Sequence, residues 1–337
     1  MNLFELTRAL VDIESITNNE GEVGAYLFDH LSALAARTGG TVERMEVEPG
    51  RFNVFAGWGE PQVTLTTHMD VVPPFFPSHE DADYIYGRGA CDAKGIVAAM
   101  IGAAERLIED GRRGFALLFV VGEERNSAGA FKAARCGRGS RYLINGEPTE
   151  NQLALGSKGA LRYEIVARGR LAHSAYPELG DSAIEKLLDM LDAIRRIPMP
   201  QDPVLGGGTL NIGTIAGGRA PNVIPDKARA EIMIRLVADA GPIRAAISQA
   251  AAGRVEASEV MCIPAIRLNS LADLPTTVVS FTTDIPAFGP AWGEPYLIGP
   301  GSILVAHTLD EKVSKRQLLE AVEIYRTMVE RLLPAAG

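Results

Sequence analysis

Cysteine is the first scarcity in this chain. Cys91, Cys136 and Cys262 are its only three thiols in 337 residues. Their number is odd and their spacing wide, which excludes a disulfide framework and paired zinc-finger cysteines. A reducing cytoplasm is the expected compartment. Cys91, beside Asp92, reads as a small packed residue before it reads as a reactive thiol. Positive charge is also short: 33 Lys and Arg against 42 Asp and Glu leave a net charge of −9, which argues against a nucleic-acid partner. No apolar run is long enough to span a membrane. The start, Met1-Asn2-Leu3-Phe4-Glu5-Leu6, lacks the basic head and apolar core of a secretory leader. Internal repeats and low-complexity segments are absent. The remainder, 47% hydrophobic and 22% charged, is that of an ordinary globular chain, long enough for two domains.

What is present is alternation. Leu3–Ile13 and Gly21–Ala36 have helical apolar spacing, while Asn53–Trp58 and Val63–Thr67 are rich in strand-forming residues. Lys94–Ile108 predicts a helix stopped near Gly111, and Phe115–Val121 and Tyr142–Ile144 predict further strands. Strands alternating with helices imply a three-layer α/β domain with a largely parallel sheet, whose functional residues gather at the carboxyl ends of the strands. From about Leu155 the order becomes Leu161–Ala167 strand, Asp181–Arg195 helix, Thr209–Ile215 and Ala228–Leu236 strands, Gly241–Ala252 helix and Glu256–Cys262 strand. That order suits a small α+β sandwich. A strand at Tyr296–Ile298 and a helix at Lys315–Leu333 then return to the first pattern. The expected division is residues 1–155 with 271–337 as one domain, and 156–270 as an insertion.

Glu123 and Glu124 follow a buried-strand pattern and one glycine. Two ionised carboxylates at the end of a buried strand need partners. An exposed loop carrying two solvated acids is the plain alternative. Four other segments supply candidate partners. His68 and Asp70 follow the strand ending Thr66-Thr67; an imidazole ligand with a nearby carboxylate, or a satisfied core histidine, both fit. Asp92, in the glycine-rich Gly87–Gly95 segment, is a ligand candidate or a helix N-cap. Glu147 follows a strand, and His307 follows Gly299-Pro300-Gly301. Together His68, Asp92, Glu124, Glu147 and His307 form a mixed imidazole–carboxylate set that suits zinc-type ions. One bridging carboxylate with two ligands on each side would hold two ions, and metal-assisted hydrolysis follows, with Glu123 free to serve as general base.

The ordered segments Thr67-His68-Met69-Asp70, Gly87–Gly95, Gly122-Glu123-Glu124, Gly146-Glu147-Pro148 and Ala306–Glu311 resemble the dinuclear zinc amidohydrolases. That family includes acetylornithine deacetylase, succinyl-diaminopimelate desuccinylase, aminoacylase and glutamate carboxypeptidase. The resemblance covers nearly the whole chain. It implies a zinc-hydrolase catalytic domain with an inserted lid or dimerisation domain, two Zn2+ ions (Co2+ as substitute) and a homodimer. By position it implies that Asp92 bridges the ions, His68 and Glu147 complete one site, and Glu124 and His307 the other. It makes Glu123 the proton carrier and Asp70 the residue that orients His68. In the insertion, Leu171–Pro177 is similar to the family's dimerisation motif, so His173 would stabilise the oxyanion. Asn222, Arg235, Thr282, Gly299 and Gly301 fall at substrate-contact positions; Arg235 suits a carboxylate. Its structural alternative is a strand-edge charge, as an exposed turn is for His173.

One segment departs from the desuccinylase pattern: Phe281-Thr282-Thr283-Asp284 lacks its glycine. Glu147 and Asn211-Ile212-Gly213 lean toward acetylornithine or acetylcitrulline deacetylases. Deacetylation of an N-acyl amino acid is therefore the first expectation; dipeptidase, carboxypeptidase or desuccinylase-like activity is the alternative. A non-catalytic binding protein on the same scaffold would have lost ligands or base, and none is lost. The substrate expected is a small acyl amino acid or dipeptide.

Overall fold

The structure, a computed structural model, describes residues 2–334. The chain forms two compact units. The first comprises the chain up to Leu155, Leu268–Thr277 and the stretch from Thr283 onward; the second comprises Gly156–Arg267 and Val278–Thr282. The return from the insertion is thus more gradual than a single boundary near Ser270: the chain re-enters the first unit at Leu268, then lends Val278–Thr282 back to the second.

The first unit is built on a six-stranded sheet in the order Thr41–Glu48, Arg51–Trp58, Phe115–Val120, Val63–His68, Tyr142–Asn145, Glu294–Leu297. The last four strands are mutually parallel and the first two antiparallel. Thr41–Glu48 is not legible as a strand in the sequence, because this edge strand buries only Met45 and carries four charged side chains. Phe115–Val120 shows why the domain has three layers. Its side chains alternate between two faces. Phe115, Leu117 and Phe119 pack with the helices Leu3–Val11, Gly21–Thr38, Lys94–Glu109 and Lys315–Leu332, while Ala116, Leu118 and Val120 pack with Ala130, Ala133, Phe288 and Trp292. A strand buried on both faces has no polar alternation, which is why its sequence reads as one apolar run.

Register then decides where the chemistry goes. His68 lies opposite Val120, Thr66 opposite Asn145, and Asn145 opposite Leu297. Four parallel strands therefore end along one edge, and each is followed within a few residues by one of the segments singled out in the sequence.

The second unit is a four-stranded antiparallel sheet in the order Thr209–Gly217, Lys227–Leu236, Gly159–Arg168, Val255–Ile263. Ala228, Ala230, Ile232, Ile234 and Leu236 point to one face, where helices Ala183–Arg195 and Gly241–Ala251 cover them. Among the described residues, no helix is long and apolar enough to cross a membrane.

Candidate metal centre

His68 is the last residue of its strand and is 1% exposed. Its Nδ1 lies 3.0 Å from the backbone oxygen of Asp70. A carbonyl can only accept, so Nδ1 carries the proton, and Nε2 is left facing Asp92 Oδ1 at 3.0 Å. This is the tautomer an imidazole needs to offer Nε2 to a cation.

Asp92 is not a helix cap. The helix Lys94–Glu109 has Ala93 at its N-cap and no side-chain cap bond. The Asp92 carboxylate instead stands between two imidazoles. Oδ1 faces His68, and Oδ2 faces His307 Nε2 at 3.4 Å. His307 Nε2 is also 2.9 Å from Glu124 Oε1. One ligand atom each from His68, Asp92 and Glu124 lies within 4.8 Å of the others.

The loop that presents Asp92 is clamped by Glu311. Its Oε1 accepts from the backbone N–H groups of Gly89 (2.9 Å), Cys91 (3.2 Å) and Asp92 (3.1 Å), and its Oε2 pairs with Arg88. Arg88 and Glu311 are each 1% exposed. Neither residue's role is legible in the sequence, because a fully buried charge pair leaves no local periodicity to find.

Asp70 corrects an expectation in part. Its carboxylate lies 3.6 Å from His68 Nδ1, too far for a hydrogen bond, and the orienting acceptor is its own carbonyl. The carboxylate serves the glutamate pair instead. Oδ1 accepts from the Glu123 amide (3.1 Å), and Oδ2 from the Glu124 amide (3.2 Å) and the Thr17 hydroxyl (2.8 Å).

The electrostatics are those of an acid cluster short of positive charge. Burial raises the Glu123 carboxyl well above its ordinary range, and the charges of Glu147, Asp284 and Glu124 raise it further. Burial likewise raises Glu147 and Glu124. Asp284, 2% exposed, is pushed up by burial to about 7. Asp92 is the exception: against burial, hydrogen bonds with His307 and with His68, whose ring carries a second proton on Nε2 when no cation is bound, hold it well below the usual carboxylate range. Hydrogen bonds to Asp92 and Glu124 carry His307 up to about 10. Repelling buried carboxylates beside two imidazoles fit divalent cations by donor type and by charge.

Residues 64–331 match the family described as Peptidase family M20/M25/M40. The chain belongs to that family. Across 97% of the chain it is 39% identical to a peptidase M20 domain-containing protein of Schizosaccharomyces pombe, covering 84% of that protein. It is 37% identical, again over 97% of the chain and over 86% of the relative, to a probable carboxypeptidase of Aspergillus oryzae. A tripeptidase from Staphylococcus aureus shares the fold, with a TM-score of 0.82 at 22% identity over 98% of each chain. The M20 fold, mixed α/β with a catalytic unit and an inserted unit, is thus the fold expected from the sequence. The M20 chain is a metal-dependent peptidase or amidohydrolase. The relatives carry peptidase names.

Within this M20 frame the other expected residues divide by unit. Glu147 is 4% exposed, and its backbone packs against Gly299 so closely that a Cβ at Gly299 would lie 2.6 Å from the Glu147 oxygen. Gly299 and Gly301, expected at substrate contacts, have packing duties. The Gly299 N–H donates to Thr149 Oγ1 and the Gly301 N–H to Gln317 Oε1. Gly301 also has φ +88°, and a Cβ there would meet Cys91 Sγ at 2.5 Å. His173, Asn222, Arg235 and Thr282 lie in the inserted unit. His173 pairs with Val223, next to Asn222, so the structure joins two segments that sequence keeps apart. The Ala175 N–H donates to His173 Nδ1 at 3.1 Å, which leaves the ring's proton on Nε2 when neutral. The Arg235 guanidinium is half-buried, desolvation lowers its pKa, and among the described residues it has no ion pair or hydrogen bond. Thr282 is half-buried.

Proposed function

We propose that this M20 member is a two-zinc exopeptidase that cleaves the amide bond next to a free carboxylate, as a carboxypeptidase or dipeptidase does. The observation that carries the reading is the Asp92 carboxylate, one oxygen toward His68 and the other toward His307, with Glu124 completing the cluster. A carboxylate so placed would bridge two cations. His68 and Glu147 would then hold one ion, and Glu124 and His307 the other. When bound, the ions supply Lewis acidity to water and to the amide carbonyl. Cobalt, with similar preference for nitrogen and oxygen donors, would substitute.

Glu123 supplies the proton transfers. Its amide is anchored on Asp70, and its carboxyl shares the buried cluster without being needed as a ligand. It takes a proton from the attacking water and returns it to the leaving amine. His173 offers an Nε2–H donor for the developing oxyanion. Arg235, a desolvated guanidinium with no protein partner, suits the substrate carboxylate, with Asn222 and Thr282 as further polar contacts.

A second reading has support in the same chemistry. An N-acetyl amino acid is also an amide beside a free carboxylate, and Glu147 with Asn211-Ile212-Gly213 resembles the deacetylase members. Zinc-loaded protein, assayed against dipeptides, N-blocked peptides, N-acetylornithine and N-acetylcitrulline, separates the readings. The exopeptidase reading requires higher kcat/KM on the peptides; faster turnover of the acetyl compounds replaces it with the deacetylase, and no turnover of any compound rejects both.

We also propose a homodimer through the inserted unit. Thr209–Gly217 is an edge strand whose outer backbone is unpaired and whose Ile215 is 57% exposed. Sedimentation giving a monomer, or a dimer unaffected by Ile215→Lys, would refute that assignment.

A further inference from the structure

We infer that Thr17 is a positioning residue for the Glu123–Glu124 pair, acting through Asp70. The inference deepens the two-metal reading above and rests on it for its kinetic consequence.

The backbone N–H groups of Glu123 and Glu124 both donate to one buried carboxylate, that of Asp70, at 3.1 and 3.2 Å. Those are the long end of the range for N–H···O bonds. The shortest contact holding that carboxylate is the Thr17 hydroxyl on Oδ2, at 2.8 Å. A carboxylate rotates about its Cβ–Cγ bond, so two long contacts from a single turn leave its plane loosely set. A third donor from a separate segment fixes it, and with it the turn that carries the proton donor and a metal ligand.

Thr17 can do this because its own segment is gripped. The Thr17 N–H donates to the Val71 oxygen (3.1 Å) and the Val71 N–H to the Ser15 oxygen (3.0 Å). Ser15 Oγ donates to the Met69 oxygen at 2.8 Å, and Lys94 Nζ to the Ile13 oxygen. Residues 15–17 therefore ride on the strand extension 69–71, which includes Asp70 itself, while Lys94 of the following helix holds Ile13. Nothing in the sequence pattern marks this segment, which lies between two surface helices and carries no ligand.

Thr17→Val removes the hydroxyl at nearly constant volume, and Thr17→Ser retains it. Full-length zinc-loaded protein is measured on the best substrate of the panel above. Thr17→Val should lower kcat on the order of 10-fold with KM little changed and both metals retained, as loss of an outer-layer hydrogen bond does. Thr17→Ser should restore most of the rate, which a purely steric role would not allow. A Thr17→Val protein with wild-type kcat overturns the inference. So do equal losses in both variants, or a loss that merely follows metal content. Hydrogen exchange of the backbone amides of Glu123 and Glu124 provides a readout independent of turnover. Exchange should quicken in Thr17→Val alone, and unchanged exchange overturns the inference. If wild-type protein hydrolyses nothing, the exopeptidase reading fails, while the exchange measurement still decides Thr17.

Discussion

Glu123 and Glu124 are adjacent in sequence and differ in what their side chains touch. Glu124 bonds His307 inside the ligand cluster, whereas Glu123 is raised by burial and then by its acidic neighbours and, among the described residues, has no cationic partner within hydrogen-bond reach. Glu123→Gln should therefore retain both metals and lose about 10²–10⁴-fold in kcat, the usual worth of a general acid–base. Full activity in metal-replete Glu123→Gln protein would remove Glu123 from the mechanism. Asp284 gives a pH prediction at the same scale. Its pKa is raised on folding from the ordinary 3.8 to about 7. Between those values the folded state binds more protons than the unfolded state, so stability falls as pH rises. In metal-free protein, Asp284→Asn should flatten the decline in urea-unfolding free energy between pH 4 and 7. An unchanged slope would show that Asp284 is not the group responsible.

At the scale of elements, the site depends on loops held by groups far away in sequence. Glu311 closes the Gly87–Asp92 loop through three backbone amides and the Arg88 guanidinium. Glu311→Gln removes the negative charge and leaves Arg88 buried and uncompensated. Breaking one side of such a pair costs about 3–5 kcal/mol. Because the loop also carries Asp92, metal affinity should fall roughly 10–100-fold. Competition with a chromophoric chelator measures that directly, and unaltered affinity would confine Glu311 to stability. The same contrast explains what the sequence made legible. Parallel strands buried on both faces announce themselves as apolar runs, and ligands just beyond their ends are found by position. The edge strand Thr41–Glu48 buries one residue and gives no such pattern. Neither Glu311 nor Thr17 could be placed, because their partners lie 219–223 and 53 residues away and only the folded chain brings them together. The sequence leaves Asp92 open between cap and ligand; the N-cap position falls on Ala93 instead.

At the scale of the whole molecule, the hydrophobic cores divide between two units, two on the faces of the first unit's sheet and one in the insertion, and the clustered ligand candidates belong to only one unit. Leu161, Ile165, Leu187, Ile232 and Ile234 belong to the inserted core, and none of the five ligand candidates lies in that unit. His68, Asp92, Glu124, Glu147 and His307 all belong to the other unit and come from three strand ends, the loop before the helix Lys94–Glu109 and a late loop. Bound cations would tie those segments together, and a ligand that binds only the folded state stabilises it by RT ln(1 + [L]/Kd). Two calorimetric transitions are therefore expected. Adding a strong chelator should lower the midpoint of the transition that belongs to the unit holding His68 and Asp92, and should leave the inserted unit's midpoint in place. A fluorescent reporter on each unit assigns the transitions. If both midpoints fell together on chelation, the two units would share one cooperative transition, and the inserted unit would be stabilised by the metals as directly as the unit that carries the ligands.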